Sequence, residues 1–195
     1  MSQRETQVKG TEIPAASTWT ADPGHSSIGF TARYVMLSKV RGKFGTFDAT
    51  IRVAGTIEDS SVEATIDAAT IDTGNDMRDE HLRSADFLAV EQFPNLTFRS
   101  TKVERVGDET LRMLGDLTIR DVTRPVVLDA EFEGSGRDLS GKDRIAFSAR
   151  TEIDREEFGI SWNKALETGG VVVGPKVGIQ IDIQAVREAE QEQVA

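Results

Sequence analysis

The stretch Val177-Gly178-Ile179-Gln180-Ile181-Asp182-Ile183-Gln184-Ala185 decides the fold. Val177, Ile179, Ile181, Ile183 and Ala185 alternate with small or polar residues. Successive side chains of a strand point to opposite faces, so this stretch has one apolar and one polar face. That is the pattern of an antiparallel strand buried on one side only.

The same period recurs through most of the chain. Ile145, Phe147, Ala149 and Ile153 share one phase, as do Val126, Leu128, Ala130 and Phe132. So do Leu111, Met113, Gly115, Leu117 and Ile119, then Val62, Ala64, Ile66 and Ala68, and Ile28, Phe30, Ala32 and Tyr34. Shorter strands are expected over Trp19–Asp22, Val40–Phe44 and Phe47–Val53. The phase slips by one among Leu96, Phe98, Ser100 and Val103, which predicts a β-bulge. Turns are marked by Asp22-Pro23-Gly24, Val106-Gly107-Asp108 and Gly134-Ser135-Gly136. One helix is predicted after Thr73-Gly74-Asn75-Asp76, with Met77, His81, Leu82 and Ala85 as its apolar stripe. A further turn is expected over Arg155–Gly159, and 166–174 reads as an entry flap or the start of the final hairpin.

Many strands with one buried face make an all-β barrel or sandwich. Several strands of about ten residues favour the taller barrel. Apolar residues facing lipid would show the same period. Against that stand the densely charged polar face and an aromatic set of one Tyr and two Trp, too small for girdles, so no membrane insertion is expected. The net charge of −10 opposes binding to nucleic acid and equally to an anionic membrane surface. With no cysteine, disulfides and thiolate chemistry are excluded. Nothing after Met1 reads as a secretory apolar segment, from which a cytoplasmic location is expected. The polar ends are read as a flexible leader over 1–17 and a tail over 188–195, flanking one domain over 18–187.

The apolar face mixes bulky and small residues. Phe30, Met113, Phe132 and Phe147 stand beside Ala32, Ala64, Ala130 and Ala149. An eight-stranded barrel is just wide enough to be filled by side chains or to hold one ligand, so composition alone leaves both readings open. Any occupant must be apolar, because that face carries almost no ionisable group.

Particular stretches resemble the YceI-like family of lipocalin-like, polyisoprenoid-binding proteins. They are Trp19-Thr20-Ala21-Asp22-Pro23-Gly24-His25-Ser26, Val40-Arg41-Gly42-Lys43-Phe44, Thr73-Gly74, Arg78-Asp79-Glu80-His81-Leu82, Asp86-Phe87, Phe93-Pro94, Leu114–Pro125 and Phe158-Gly159-Ile160-Ser161-Trp162. The resemblance spans about residues 18–186. It implies a bacterial protein with an extended eight-stranded antiparallel barrel, one short helix and end loops. It also implies a long isoprenoid or fatty chain in the bore, no catalysis, no cofactor, and a homodimer in many members. Asp121 departs from the family's frequent glycine at that position, a change expected in a surface turn.

On this reading the bore is lined by Phe30, Ala32, Met113, Leu117, Ala130, Phe132, Phe147, Ala149, Ile179, Ile181 and Trp162, with His25, Arg33 and His81 as head-group or mouth candidates. Each has a plainer reading. His25 follows Asp22 in a turn and can bond there without any ligand. Asp79 and His81, two apart on a helix, point to different faces and do not make a metal site. Trp162 can equally seal the core as an ordinary aromatic. Asp154, Glu156 and Glu157 read as a solvated face, and no nucleophile elbow or phosphate loop is present. The alternatives to a lipid carrier are a structural or interaction domain with a packed bore, and an enzyme acting on an isoprenoid-like substrate near His25 or His81.

Overall fold

The computed structural model describes residues 12–167 and 169–189. Eleven strands form one antiparallel sheet: β1 (Ser17–Ala21), β2 (Ser27–Tyr34), β3 (Ser38–Phe44), β4 (Phe47–Val53), β5 (Ser61–Asp67), β6 (Ile71–Asp72), β7 (Asn95–Arg105), β8 (Thr110–Ile119), β9 (Val122–Arg137), β10 (Asp143–Asp154) and β11 (Val173–Arg187). Pairing runs β1-β4-β5-β7-β8-β9-β10-β11 and returns to β1, closing an eight-stranded barrel. β2, β3 and β6 continue the sheet from β11. The helix α1 spans Asp76–Arg83.

The two halves of the wall are built differently. β7 to β11 are continuous strands of ten to sixteen residues. The other half consists of three kinked composites, β1 with β2, β3 with β4, and β5 with β6, since both members of each pair lie antiparallel to the same neighbouring composite or strand. The breaks have local causes. Pro23 has no N–H for the ladder, and the Asp22 carboxylate accepts from Gly24 N at 3.0 Å to cap a single 3-10 turn. Asp67 caps the 68–70 turn in the same way, accepting from Ala69 N at 2.9 Å. Thr70 Oγ1 accepts from Gly45 N and Thr46 N, which fastens the second break to the third.

The expected bulge is present, with β7 slipping against β8 between Ser100 and Lys102. Its freed hydroxyl is used, because Ser100 Oγ accepts from Val62 N at 2.8 Å. Opposite Ser100 stands Gly115, and a Cβ there would lie 2.4 Å from the Phe98 ring. Glycine is what lets that ring lie flat on the wall. A second slip, between Ala146 and Phe147 of β10 against β9, has no counterpart in the alternation.

One expectation fails. Met77 is 83 % exposed, and α1 buries Asp79 instead. Asp79 accepts from Thr73 N and Thr73 Oγ1, while Arg78 donates from Nε to Thr73 Oγ1 at 2.7 Å and from a terminal nitrogen to Thr73 O at 2.9 Å. These bonds fix the helix by its polar face, and Met77, two residues from Asp79, is turned outward. Ile13, within the segment read as a leader, packs against Trp19, Ile51 and their neighbours. Residues 1–11 and 190–195 of the expected leader and tail lie outside the described residues.

Candidate functional site: the apolar bore

The inward positions enclose a cavity of about 280 Å³. A buried site of roughly 150 Å³ lined by apolar side chains stays dry and takes benzene, so this one is large for an internal void. It extends from Ile13, Val53 and Ile57 at the β1 end to Ile71, Leu82 and Arg155 at the α1 end. The twelve residues of β10, rising about 3.4 Å each at a tilt of about 40°, make a wall roughly 30 Å tall. Ile179, Ile181 and Ile183 point into the bore yet are only partly buried, because no side chain fills the space in front of them.

Apart from Arg155, Thr151, Ser60, Ser61 and the backbone at Gly29, the wall is apolar. Phe30 reaches across Gly42, where a Cβ would lie 2.3 Å from its ring, and meets Phe44 at 5.9 Å between centroids. Ala130 and Ala149 stand opposite each other on β9 and β10, so two adjacent strands present only methyl groups there. The outer face is charged: Glu63, Arg99, Arg112 and Asp129 form exposed ion pairs across neighbouring strands. No helix among the described residues is long and apolar enough to cross a membrane.

Nine of the expected lining residues are on the cavity wall: Phe30, Ala32, Met113, Leu117, Ala130, Phe147, Ala149, Ile179 and Ile181. Phe132 and Trp162 are not. Phe132 is 1 % exposed and packs in a separate cluster with Trp19, Ile51 and Ile145, its ring 5.2 Å from Phe147. Trp162 lies edge-on to His81 at 4.7 Å and tilted against Phe87 at 5.3 Å. Of these three rings only Phe87 reaches the cavity, so they form a cap over its α1 end. His81 is held there by Asp86, Nε2 to Oδ2 at 2.9 Å.

The other two candidates are not on the cavity wall. His25 lies on the outer wall at the kink between β1 and β2, its Nδ1 2.9 Å from Asp22 Oδ2. Arg33 is exposed on β2, beside Gly174. Among the described residues no three histidine or carboxylate groups converge as a metal site would require.

Sequence reasoning missed Arg155. It follows Asp154 in a charged run, but its side chain is turned inward and 4 % exposed. Nε donates to Gly174 O at 3.0 Å, and the terminal nitrogens donate to the carbonyls of Ile160 (2.6 Å), Trp162 (2.9 Å) and Val173 (3.2 Å). Glu156, at 3.9 Å, is the carboxylate beside it. Burial draws this guanidinium below its ordinary pKa, and it remains a cation. Five donors in one plane thus fold the 155–174 connection over the bore's end. No spacing in the sequence distinguishes such an arginine from a solvated one.

A model of the YceI-like domain matches residues 19–185. The chain belongs to the YceI-like family. UPF0312 proteins of Staphylococcus aureus strains are 38 % identical over 165 residues, covering 83 % of this chain and 92 % of theirs. Among solved structures, a Campylobacter jejuni YceI protein superposes with TM-score 0.70 at 30 % identity, covering 80 % of this chain and 90 % of that one. Burkholderia cenocepacia BcnA gives 0.74 at 21 % identity, with 84 % and 98 % covered. A polyisoprenoid-binding domain from Saccharophagus degradans gives 0.63 at 15 % identity, with 87 % and 98 % covered. The last two show that this YceI-like barrel shares their fold.

Proposed function

We propose that this YceI-like barrel is a non-catalytic, cytoplasmic carrier or sequestering protein for one long-chain apolar lipid, an isoprenoid quinone, a polyprenyl lipid or a fatty chain. The observation that carries the reading is the apolar cavity running from Ile13 to Arg155. Each ligand methylene moved from water into it contributes about 0.8 kcal/mol, so chain length alone supplies affinity. The Saccharophagus domain described as polyisoprenoid-binding has the same barrel, which supports this class of cargo. The cavity argues against a packed-bore interaction domain. An enzyme is the weaker reading because His25 and His81, the candidates for proton transfer, are not on the cavity wall.

The test is extraction of the purified protein and native mass spectrometry, with uptake of a fluorescent polyene measured beside it. A bound lipid and saturable uptake are expected. Ala149→Phe places a ring in the bore and is expected to abolish uptake while the circular dichroism spectrum stays unchanged. An empty protein that takes up no probe overturns the proposal. Uptake by Ala149→Phe equal to wild type removes β10 from the binding surface.

A further inference from the structure

From Pro23 to Phe47 the chain contains no aspartate or glutamate, although it carries 33 of them in all and a net charge of −10. The same stretch holds Arg33, Lys39, Arg41 and Lys43. Lys39, Arg41 and Lys43 alternate along β3 and so share a face. Arg33 of β2 stands directly opposite Lys39 and joins that face. All four are exposed, and none forms an ion pair among the described residues. The acid nearest in register, Asp72 opposite Lys43, accepts from Gly74 N through its Oδ1. Like charges directly opposite each other repel, as Arg33 and Lys39 do, so an anion bound at this face would relieve them.

The tip of the same hairpin is apolar. Tyr34, Met36 and Leu37 are 47 %, 54 % and 84 % exposed. Leu37 N donates to Tyr34 O at 3.1 Å, closing a turn in which Val35 and Met36 have φ of 44° and 60°. A turn with two left-handed residues favours Asn-Gly, and a β-branched valine there is strained. Both the strain and the exposure oppose local stability, a cost that a contact made by the tip would offset. The tip is also next to the cargo site. Val35 N donates to Val172 O at 2.7 Å, and Ala32 and Val173 line the cavity. Beside them the β2–β11 register slips between Val173 and Val177.

We propose that the β2–β3 hairpin docks this end of the barrel on an anionic phospholipid bilayer, its cations on the headgroups and Met36 and Leu37 in the interface. Basic residues beside an apolar tip match that surface in both charge and polarity. The rest of the acidic molecule is repelled by the same surface, which orients the hairpin toward it. Exchange of cargo at this contact rests on the carrier reading above, whereas docking itself does not.

The experiment is co-sedimentation with vesicles of phosphatidylcholine alone and of phosphatidylcholine with phosphatidylglycerol in equal parts. Wild type is expected to pellet with the anionic vesicles only, and high salt is expected to release it. Lys39→Gln with Arg41→Gln should weaken partitioning roughly thirtyfold, about fivefold per cation. Leu37→Asp should abolish it with the thermal melt unchanged. Wild type that fails to pellet overturns docking, including the case of a hairpin that serves an acidic protein instead. So does a double glutamine variant that partitions like wild type. Polyene uptake in vesicle-free solution separates the two proposals: uptake without docking refutes only this one, and docking without uptake refutes only the carrier.

Discussion

The two ends of the barrel are closed by different physics. Where β1 meets β11, Trp19, Phe132, Ile145 and Ala185 are each 2 % exposed or less and pack as an apolar plug. At the α1 end Phe158, Ile160, Phe87 and Leu88 are buried too, but among them stand the two buried charged groups, Arg155 and Asp79, both 4 % exposed; Arg155 donates to backbone carbonyls, and Asp79 accepts from Thr73 N and Thr73 Oγ1. An apolar plug is non-directional and comes apart only with the domain around it. A closure made of a few directional bonds can be released segment by segment, and such low-stability segments are where ligands enter. On the carrier reading proposed above, the difference makes the α1 end the one through which a ligand would enter.

Two substitutions test this contrast with the largest effects. Trp19→Ala should cost roughly 3–5 kcal/mol, as removal of a buried aromatic does, and should lower stability as one cooperative transition. Arg155→Met removes the guanidinium donor from the carbonyls of Ile160, Trp162 and Gly174, while Val173 O keeps Asn163 Nδ2 at 2.7 Å. It should cost about 3 kcal/mol. Its signature is local: hydrogen exchange across 160–174 should accelerate well before global unfolding. Identical exchange profiles for the two variants would break the comparison.

A smaller effect separates the ends by pH. Outside the apolar plug Arg144 joins Asp22 at 2.6 Å and Asp138 at 2.7 Å. The Arg144 guanidinium, with His25 beside it, holds Asp22 at about 2, below its ordinary 3.8. Asp138 is held lower than its ordinary value as well, by Ser140 first and then Arg144. The unfolded chain therefore takes up these protons first as pH falls. The contribution is complete above pH 3.8 and disappears as pH drops through about 2. Denaturant titrations of wild type and Arg144→Gln should converge across that window, because the variant has already lost the interaction. Parallel curves would detach this network from acid stability.

What was legible in the sequence follows the same division. Period-two alternation is a property of the wall, so it identified nine residues of the cavity and the bulge at Ser100. It carries no information about height along the barrel, and so it did not separate Phe132, in the plug, from Ala130, two residues away on the cavity wall. The α1 end was the least legible part. Trp162 is placed by ring contact with the distant His81, and Asp79 and Arg155 by bonds to nearby loops that have no period, so their local patterns match those of ordinary surface residues. The resemblance to the YceI-like family contributed the open bore, which composition had left undecided.

The smallest expected effect compares one hairpin turn from each end. Beyond the plug, the β9–β10 turn is conventional: Asp138 Oδ1 accepts from Ser140 N and Lys142 N, and its left-handed residue is Gly141, at φ 82°. At the α1 end the β2–β3 turn puts Val35 and Met36 in that region. Val35→Asn with Met36→Gly supplies the residues this backbone favours and should stabilise the protein by roughly 1 kcal/mol, since a left-handed conformation costs about that for a side chain with a Cβ. In a domain of this size the melting temperature should rise by about 2–4 °C. The same variant loses two apolar side chains, Val35 and Met36, from the turn, so its partitioning onto anionic vesicles should fall. A more stable protein that docks less well would show that the turn is kept strained for contact rather than for folding. A variant that melts at or below the wild-type temperature would show that the backbone at Val35 is relieved by its bond to Val172, and the asymmetry between the two turns would then lie in composition alone.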